Sequence, residues 1–153
     1  MIGEKEIKQQ ILEFCWNQIN ERTESLRKRS DALQESLNSE TKSSAGDKHE
    51  TGRAMVQLEQ EKLGKQRVEL EKTKMILSKV DIAKHSEKIS LGSLVKTTTA
   101  NYFIAISAGV FNKDNDAFFC ISASSPIAKL LLGKEKGDAF SFNGNESGIL
   151  EVV

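Results

Sequence analysis

Apolar residues recur every seven positions through the first half of the chain, with apolar or small residues three or four positions after them. This spacing is typical of a helix that buries one narrow stripe against another helix. A second stretch with the same seven-residue spacing follows, and its last apolar residue is Val80. The leading positions are Leu12, Ile19, Leu26 and Leu33, then Val56, Leu63, Leu70 and Leu77, and the positions between them in the first stretch are Cys15 or Trp16, Thr23, Ser30 and Leu37.

A short segment that contains serine and glycine separates the two stretches. Ser43, Ser44 and Gly46 supply turn-forming residues. Because the link is short, we expect the two helices to pack antiparallel as one hairpin. Each arm of about 35 residues would extend ~50 Å. The coiled-coil hairpin is therefore predicted over residues 1–84, with its tip near residues 41–53, and it should be monomeric because it covers its own seam.

Residues 85–153 have the composition of a β domain, because Gly, Phe, Val, Ile, Ser and Thr become more frequent there. Five strands and one short helix are predicted. The helix lies in "SSPIAKLLLGKEKGD", with Ser124 or Ser125 as N-cap, Pro126 in its first turn and Gly133 at its end. The strands are Ser93–Thr97, Tyr102–Ser107, "DAFFCIS", "AFSFNG" and "GILEVV", the last two joined through Asn143–Gly148. The fold class is α+β, a helical hairpin followed by an antiparallel sheet around one helix.

Composition limits the function classes only in part. The chain has 153 residues, 38% hydrophobic and 29% charged, which suits a soluble protein. No apolar run approaches the ~20 residues of a membrane span, and "MIGEKEIKQQ" does not resemble a secretory signal, so a cytoplasmic protein is expected. The formal net charge of zero favours neither nucleic acid nor a membrane surface. Cys15 and Cys120 are predicted to be buried free thiols.

The segment between the two stretches holds the acids that could carry chemistry. Asp47 and Glu50 are three positions apart. In one interpretation Asp47 caps the returning helix and Glu50 completes a capping box. In the other, both carboxylates lie on one face of the first turn and aim at the same cation. Mg²⁺ is held weakly by two carboxylates, so a partner would have to complete such a site.

Three pieces of the sequence together resemble the Gre family of bacterial transcript cleavage factors. They are the helical hairpin, the "GDKHE" segment, which is similar to the family's Gly-Asp-x-x-Glu, and "SPIAKLLLGKEKGD" with the later "ILEV", which resembles the C-terminal signature. The resemblance covers essentially the whole chain in the family's domain order. It implies an FKBP-like C-terminal domain over residues 85–153.

The resemblance also implies a function. Gre factors dock on bacterial RNA polymerase and insert the hairpin into its secondary channel, where the tip acids share a Mg²⁺ ion with the polymerase and stimulate its cleavage of backtracked RNA. The chain would then be an accessory factor and not itself an enzyme. Asp47 and Glu50 match the family's tip acids. The extruded RNA 3′ end would contact Arg27, Lys28, Arg29, Lys62 and Lys65, and polymerase docking would involve Ser125, Pro126, Ile127, Gly133, Lys134, Gly137 and Asp138.

Departures from the family pattern leave alternatives open. Where Gre proteins commonly read Asn-Ala-Glu-Tyr after the glutamate, this chain reads Thr51-Gly52-Arg53-Ala54. A channel binder that regulates or inhibits polymerase without strong cleavage is therefore the second hypothesis. The basic residues on the hairpin could equally form an ordinary salt-bridged surface with the interleaved acids. Because FKBP-like domains include peptidyl-prolyl isomerases, proline isomerisation is a further hypothesis. Its apolar pocket would be formed by Tyr102, Phe103, Phe118, Phe119, Phe140 and Phe142.

Overall fold

A computed structural model describes the backbone of residues 3–42 and 46–153 and the side chains of residues 3–39 and 52–153. Its contacts divide the chain into two compact units. One unit, here called the hairpin unit, is Ile19–Lys74, and the other, the sheet unit, combines Met1–Gln18 with Met75–Val153. The domain boundary near residue 84 was inferred from the change from helix-forming to strand-forming residues, and it stays a prediction. The contacts group the start of the first helix with the sheet.

Two long helices supply the hairpin unit. Helix α1 is Glu4–Lys42 and helix α2 is Gly46–Ser78, and both are built mainly from residues with high helix propensity. Polar contacts join the two helices within this unit. Arg67 Nη2 donates a hydrogen bond to Ser30 Oγ at 3.3 Å, and Arg29 forms an ion pair with Glu59 at 3.7 Å. The predicted helical hairpin is confirmed.

The heptad positions form the seam of the hairpin unit. Ile19, Leu63 and Leu70 are buried, and Leu26, Leu33 and Val56 are half-buried. Burying this stripe stabilises the pair of helices, because a helix in a protein gains most of its stability from packing one apolar face against its surroundings. The seam predicted from the seven-residue spacing is therefore present.

A six-stranded sheet and one short helix make up most of the sheet unit. The strands are β1 Leu94–Thr97, β2 Asn101–Ala105, β3 Gly109–Lys113, β4 Asp116–Ser122, β5 Ala139–Phe142 and β6 Asn145–Val152, and helix α3 is Pro126–Leu131. Their order is β3-β4-β2-β1-β6-β5. All neighbours pair antiparallel except β2 and β4, which run parallel from Asn101 opposite Phe118 to Ala105 opposite Ser122.

The sheet differs from the sequence prediction in three respects. Strand β3 was not predicted, and because it pairs with the far edge of β4, β2 and β4 become parallel neighbours within an otherwise antiparallel sheet. Strand β2 ends at Ala105 and not at Ser107. The last hairpin turns at Asn143 and Gly144 alone, both with positive φ, so residues 145–147, predicted as loop, belong to β6. Two residues in this conformation match the twist of a hairpin.

Both faces of the sheet are covered. On one face α3 packs Ile127 and Leu131 into a core with Val95 and Ile104, to which Ile89, Phe140 and Ile149 also belong. On the other face the start of α1 packs on β3 and β4. Phe14 and Phe111 have ring centroids 5.5 Å apart there. The first turns of α1 therefore act as a layer of the sheet unit.

Helix α3 begins as its sequence predicts. Ser125 is the N-cap, its side chain accepting a hydrogen bond from the Ala128 amide, and Pro126 follows at the first helical position. Gly133 adopts φ +85° just beyond the helix, which a residue with a side chain would adopt only with strain. Within the described residues, neither long helix has the length and apolar run needed to cross a bilayer.

Candidate functional site

The tip acids lie in the first turn of α2. That helix begins at Gly46, so Asp47 and Glu50 occupy its second and fifth positions and, at a spacing of three, share one side of the helix. The capping interpretation placed Asp47 immediately before the helix, whereas the backbone places it inside. The side chains of both residues lie outside the described residues, and so do those of Ser43, Ser44 and His49.

The chemistry of this pair suits a weakly held hard cation. Carboxylate oxygens are the ligands that Mg²⁺ takes from proteins, but two of them leave most of its octahedron to water or to a partner. The unpaired amides at a helix N-terminus carry partial positive charge, which stabilises the carboxylates and opposes a nearby cation. Occupancy in the free protein should therefore be low. Among the described side chains, no group of three or more His, Cys, Asp or Glu residues could hold a metal ion.

The basic residues predicted to contact RNA fall into different environments. Arg27 is held by Glu24 and Asp31 on its own helix, and the hydrogen bond from Arg27 lowers the pKa of the Glu24 carboxyl. Arg29 and Lys65, from opposite arms, line one groove of the hairpin unit. Lys28 and Lys62 are exposed. The salt-bridged interpretation therefore describes Arg27, and also Arg29 through its pair with Glu59, and RNA binding by the set stays a prediction.

The residues predicted to dock on polymerase have clear local roles in the sheet unit. Ser125 caps α3, Ile127 is in the core, and the Asp138 carboxylate accepts a hydrogen bond from the Glu135 amide at 2.9 Å. Gly137, like Gly133, has positive φ. Those of the set that are exposed are Pro126, Gly133, Gly137 and Asp138, while Lys134 is half-buried. The signature thus specifies a fold, and docking by its exposed members stays a prediction.

The aromatic residues considered for a proline pocket are divided between core and surface. Phe103, Phe118 and Phe140 are buried. Tyr102 and Phe119 lie with ring centroids 6.0 Å apart on neighbouring strands, and burial raises the pKa of the Tyr102 phenol. Strand packing accounts for these side chains, which act as core and cross-strand partners.

The N-terminal part of α1 makes two buried polar contacts with the rest of the sheet unit that were not predicted from the sequence. Cys15 and Cys120 are both buried thiols that form no disulfide, as predicted. They share a hydrogen bond, which together with burial raises the pKa of the Cys120 thiol far above its usual value. Lys8 is 3% exposed, and its Nζ donates to the Val153 carbonyl oxygen at 3.0 Å. Burial lowers the pKa of Lys8, and the charge of Asp81 partly offsets this. These contacts join residues that are far apart along the chain, so no residue spacing in the sequence could have predicted them.

Comparison with known proteins gives limited information. No protein-family model matches the chain, and no curated protein matches it. Among solved structures, that of the transcription factor Gfh1 is similar, at 23% identity over 92% of this chain and 92% of that chain, with a TM-score of 0.34. At this identity and superposition, the similarity does not by itself establish a shared activity.

Proposed function

We propose that this chain is a cytoplasmic transcription elongation factor of the Gre type that stimulates bacterial RNA polymerase to cleave backtracked RNA. One observation carries the proposal: Asp47 and Glu50 stand three positions apart in the first turn of α2, where the second arm of a helical hairpin begins. The motif resemblance in "GDKHE" and in the C-terminal signature supports it.

In this proposal the hairpin enters the secondary channel and the chain brings two carboxylates to a reaction that the polymerase performs. Asp47 and Glu50 would hold a shared Mg²⁺ ion, which when bound supplies charge stabilisation and orients an attacking water. The pair contributes only part of the coordination shell, so it acts when the polymerase supplies the rest. The exposed residues of the signature around α3 would dock on the polymerase, and the basic residues of the hairpin unit would contact the extruded RNA by phosphate attraction.

The test adds the purified chain to stalled, backtracked elongation complexes in Mg²⁺ and follows the labelled RNA. Short RNA products that appear faster than with polymerase alone support the proposal. The Asp47→Ala/Glu50→Ala variant should lose the stimulation while its polymerase affinity stays within a few-fold. Equal cleavage by this double variant would refute the role of the acids.

A second candidate function is a channel binder that slows polymerase without strong cleavage. Arg53, an exposed residue three positions after Glu50 on α2, favours it, since that spacing lets a guanidinium compete with a cation for the Glu50 carboxylate. Unchanged RNA with slowed synthesis in the same assay would support this candidate.

A graft separates the two candidates further. Thr51→Asn, Gly52→Ala, Arg53→Glu and Ala54→Tyr together restore the commoner Gre residues. If the altered tip suppresses cleavage, the grafted chain gains activity that the original lacks. A chain that does not bind polymerase in either form would instead be a coiled-coil interaction protein outside transcription.

A further inference from the structure

The outward face of α2 in the hairpin unit carries a second stripe of residues that the described part of the chain leaves exposed. Its members recur at alternating spacings of four and three, as in a heptad seam. Leu58 and Val68, two of its apolar members, are 66% and 55% exposed. The seam of Leu63 and Leu70 lies on the opposite side of the helix and does not account for this stripe. The outward stripe consists of Ala54, Leu58, Glu61, Lys65, Val68 and Lys72.

Two charged residues at the centre of the outward stripe have no partner among the described residues. Glu61 and Lys65 are four positions apart, a spacing at which they could pair on their own helix. Neither residue makes an ion pair or a hydrogen bond within the part of the chain that the structure describes. Glu69, by contrast, pairs with Lys72 at 3.3 Å. Both central charges are therefore available to another molecule.

Gly64 lies beside these two charges, and packing inside the chain does not require a glycine there. It lines one shallow depression with Glu61, Lys65 and Val68. A Cβ atom added at Gly64 would meet nothing within 4 Å. Glycine weakens the interior of a helix relative to alanine. A residue without a side chain does, however, let the axis of a second helix come close.

The outward stripe is complementary to a second copy of itself. In a two-fold pair, residue i of one copy contacts residue j of the other, and j contacts i. If two α2 helices lie antiparallel with the axis level with position 63, Leu58 faces Val68 and Glu61 faces Lys65, each pair occurring twice. Moving the axis by one helical turn places Leu58 opposite Glu61 in one direction and Val68 opposite Lys65 in the other. The first register is therefore the one that matches apolar with apolar and acid with base.

The charge balance of the face favours a second copy over a strongly charged partner. Two copies do not repel one another through net charge, whereas an acidic helix or a nucleic acid would gain no net attraction from this face. This follows because residues 58–69 contain three acids and three bases, which are Glu59, Glu61 and Glu69 and Lys62, Lys65 and Arg67.

We propose that two copies of this chain associate through the outward faces of their α2 helices, antiparallel, with Glu61 of each copy paired to Lys65 of the other. The contact spans residues 54–72, about 27 Å of helix. This surface is small compared with that of an obligate dimer, so the dissociation constant should be about 10–100 μM. The monomer expected from the covered seam is then the state at low micromolar concentration and below. This proposal does not depend on polymerase binding or on RNA cleavage.

Sedimentation equilibrium of the full chain between about 1 and 500 μM, a range that brackets this constant, tests the proposal. The mass should rise toward that of two chains. Glu61→Lys and Lys65→Glu each place like charges opposite one another twice, and each should weaken association about tenfold or more. The combined variant Glu61→Lys/Lys65→Glu restores opposite charges and should return to within about threefold of the original chain. Lys28→Glu, the matched charge reversal at an exposed position of α1, should stay within about twofold.

Two further measurements test the close approach and the register. Gly64→Leu should weaken association while helical circular dichroism is retained, because leucine favours a helix more than glycine does. A Leu58→Cys chain mixed with a Val68→Cys chain should form an intermolecular disulfide in oxidised glutathione faster than either chain alone. In the proposed register position 58 faces position 68, whereas the two copies of position 58 are about 15 Å apart along the helix axis.

Three results would overturn the proposal. The first is the mass of a single chain at every concentration, with intact helical circular dichroism, which would leave the face to a different protein. The second is a combined charge reversal that binds no better than the single reversals, or a Lys28→Glu variant that is weakened as much as Lys65→Glu. The third is faster linking between identical positions than between positions 58 and 68, which would assign another register or a parallel pair.

Discussion

The sheet unit and the hairpin unit differ in the packing that stabilises each of them internally. In the sheet unit both faces of the sheet are covered, and residues such as Phe103 and Ile104 are fully buried on neighbouring positions of one strand. In the hairpin unit, Ile19, Leu63 and Leu70 are the buried apolar side chains among those described. A thin seam leaves most of each helix available for contacts with other molecules. The hairpin unit should accordingly open more readily than the sheet unit.

The largest effect should come from the core of the sheet unit. Ile104→Ala removes a fully buried side chain from the cluster beneath α3, and we expect the free energy of unfolding to fall by about 2–5 kcal/mol. Urea denaturation followed by tryptophan fluorescence and circular dichroism measures it. Leu130→Ala, at a position 37% exposed on α3, should change stability by less than about 0.5 kcal/mol. Similar losses in both variants would contradict the assigned core.

A seam substitution should act locally. Leu63→Ala empties a buried position of the hairpin unit and should cost about 2 kcal/mol. Hydrogen exchange should accelerate for amides of residues 19–74, while strand amides of β1 and β2 keep their protection. Leu58→Ala, on the same helix and 66% exposed, serves as the control. If the strand amides lost protection equally, the two units would not differ in the way described.

Removal of the α3 cap should have a smaller effect. Ser125→Ala loses the side-chain acceptor for the Ala128 amide, at 3.3 Å, and the hydrogen bond to the Ser122 carbonyl oxygen at 2.8 Å. Losing an N-cap costs about 1 kcal/mol, measured as a shift of the thermal midpoint. Ser124→Ala changes the neighbouring exposed serine and should leave the midpoint nearly unchanged. A reversed ranking would show that the cap lies at Ser124.

The smallest expected effect on stability comes from Lys8, the buried lysine near the N-terminus of α1. Burial lowers the pKa of Lys8 below 10.5, so between the two values the unfolded chain binds more protons than the folded one. The free energy of unfolding should therefore rise with pH as the pH increases toward 10.5. Lys8→Met should lack this rise in urea midpoints compared at about pH 8 and pH 10. Parallel pH dependence in the two proteins would contradict the burial of a charged Lys8.

Local signals predicted a large part of the fold. The seven-residue spacing located the seam at Leu63 and Leu70 because helical periodicity depends only on nearby residues. Ser125, Pro126 and Gly133 marked the limits of α3 for the same reason. Strand β3 was missed because Gly109–Lys113 has no long apolar alternation, and its turn uses Asp114 and Asn115, both with positive φ, which do not form the usual Asn-Gly signal.

Contacts between distant parts of the chain could not be predicted. The parallel pairing of β2 with β4, the hydrogen bond between Cys15 and Cys120 and the burial of Lys8 all depend on tertiary packing, which no spacing in the sequence records. The same holds for the groove of Arg29 and Lys65, where residues from two arms meet. The pair Asp47 and Glu50 could be proposed from sequence because the two residues are close along the chain, and its role stays a prediction.

The most direct test of the proposed tip chemistry is the rate of RNA cleavage in backtracked complexes as a function of Mg²⁺ concentration. The variant Asp47→Asn/Glu50→Gln keeps the shape of both side chains and removes their charge, and Glu21→Gln/Glu61→Gln makes the same charge change at exposed positions of the two arms. We predict that the tip variant loses stimulation or requires at least about tenfold more Mg²⁺, while the control follows the original chain. Identical Mg²⁺ dependence for the tip variant and the original chain would contradict the account.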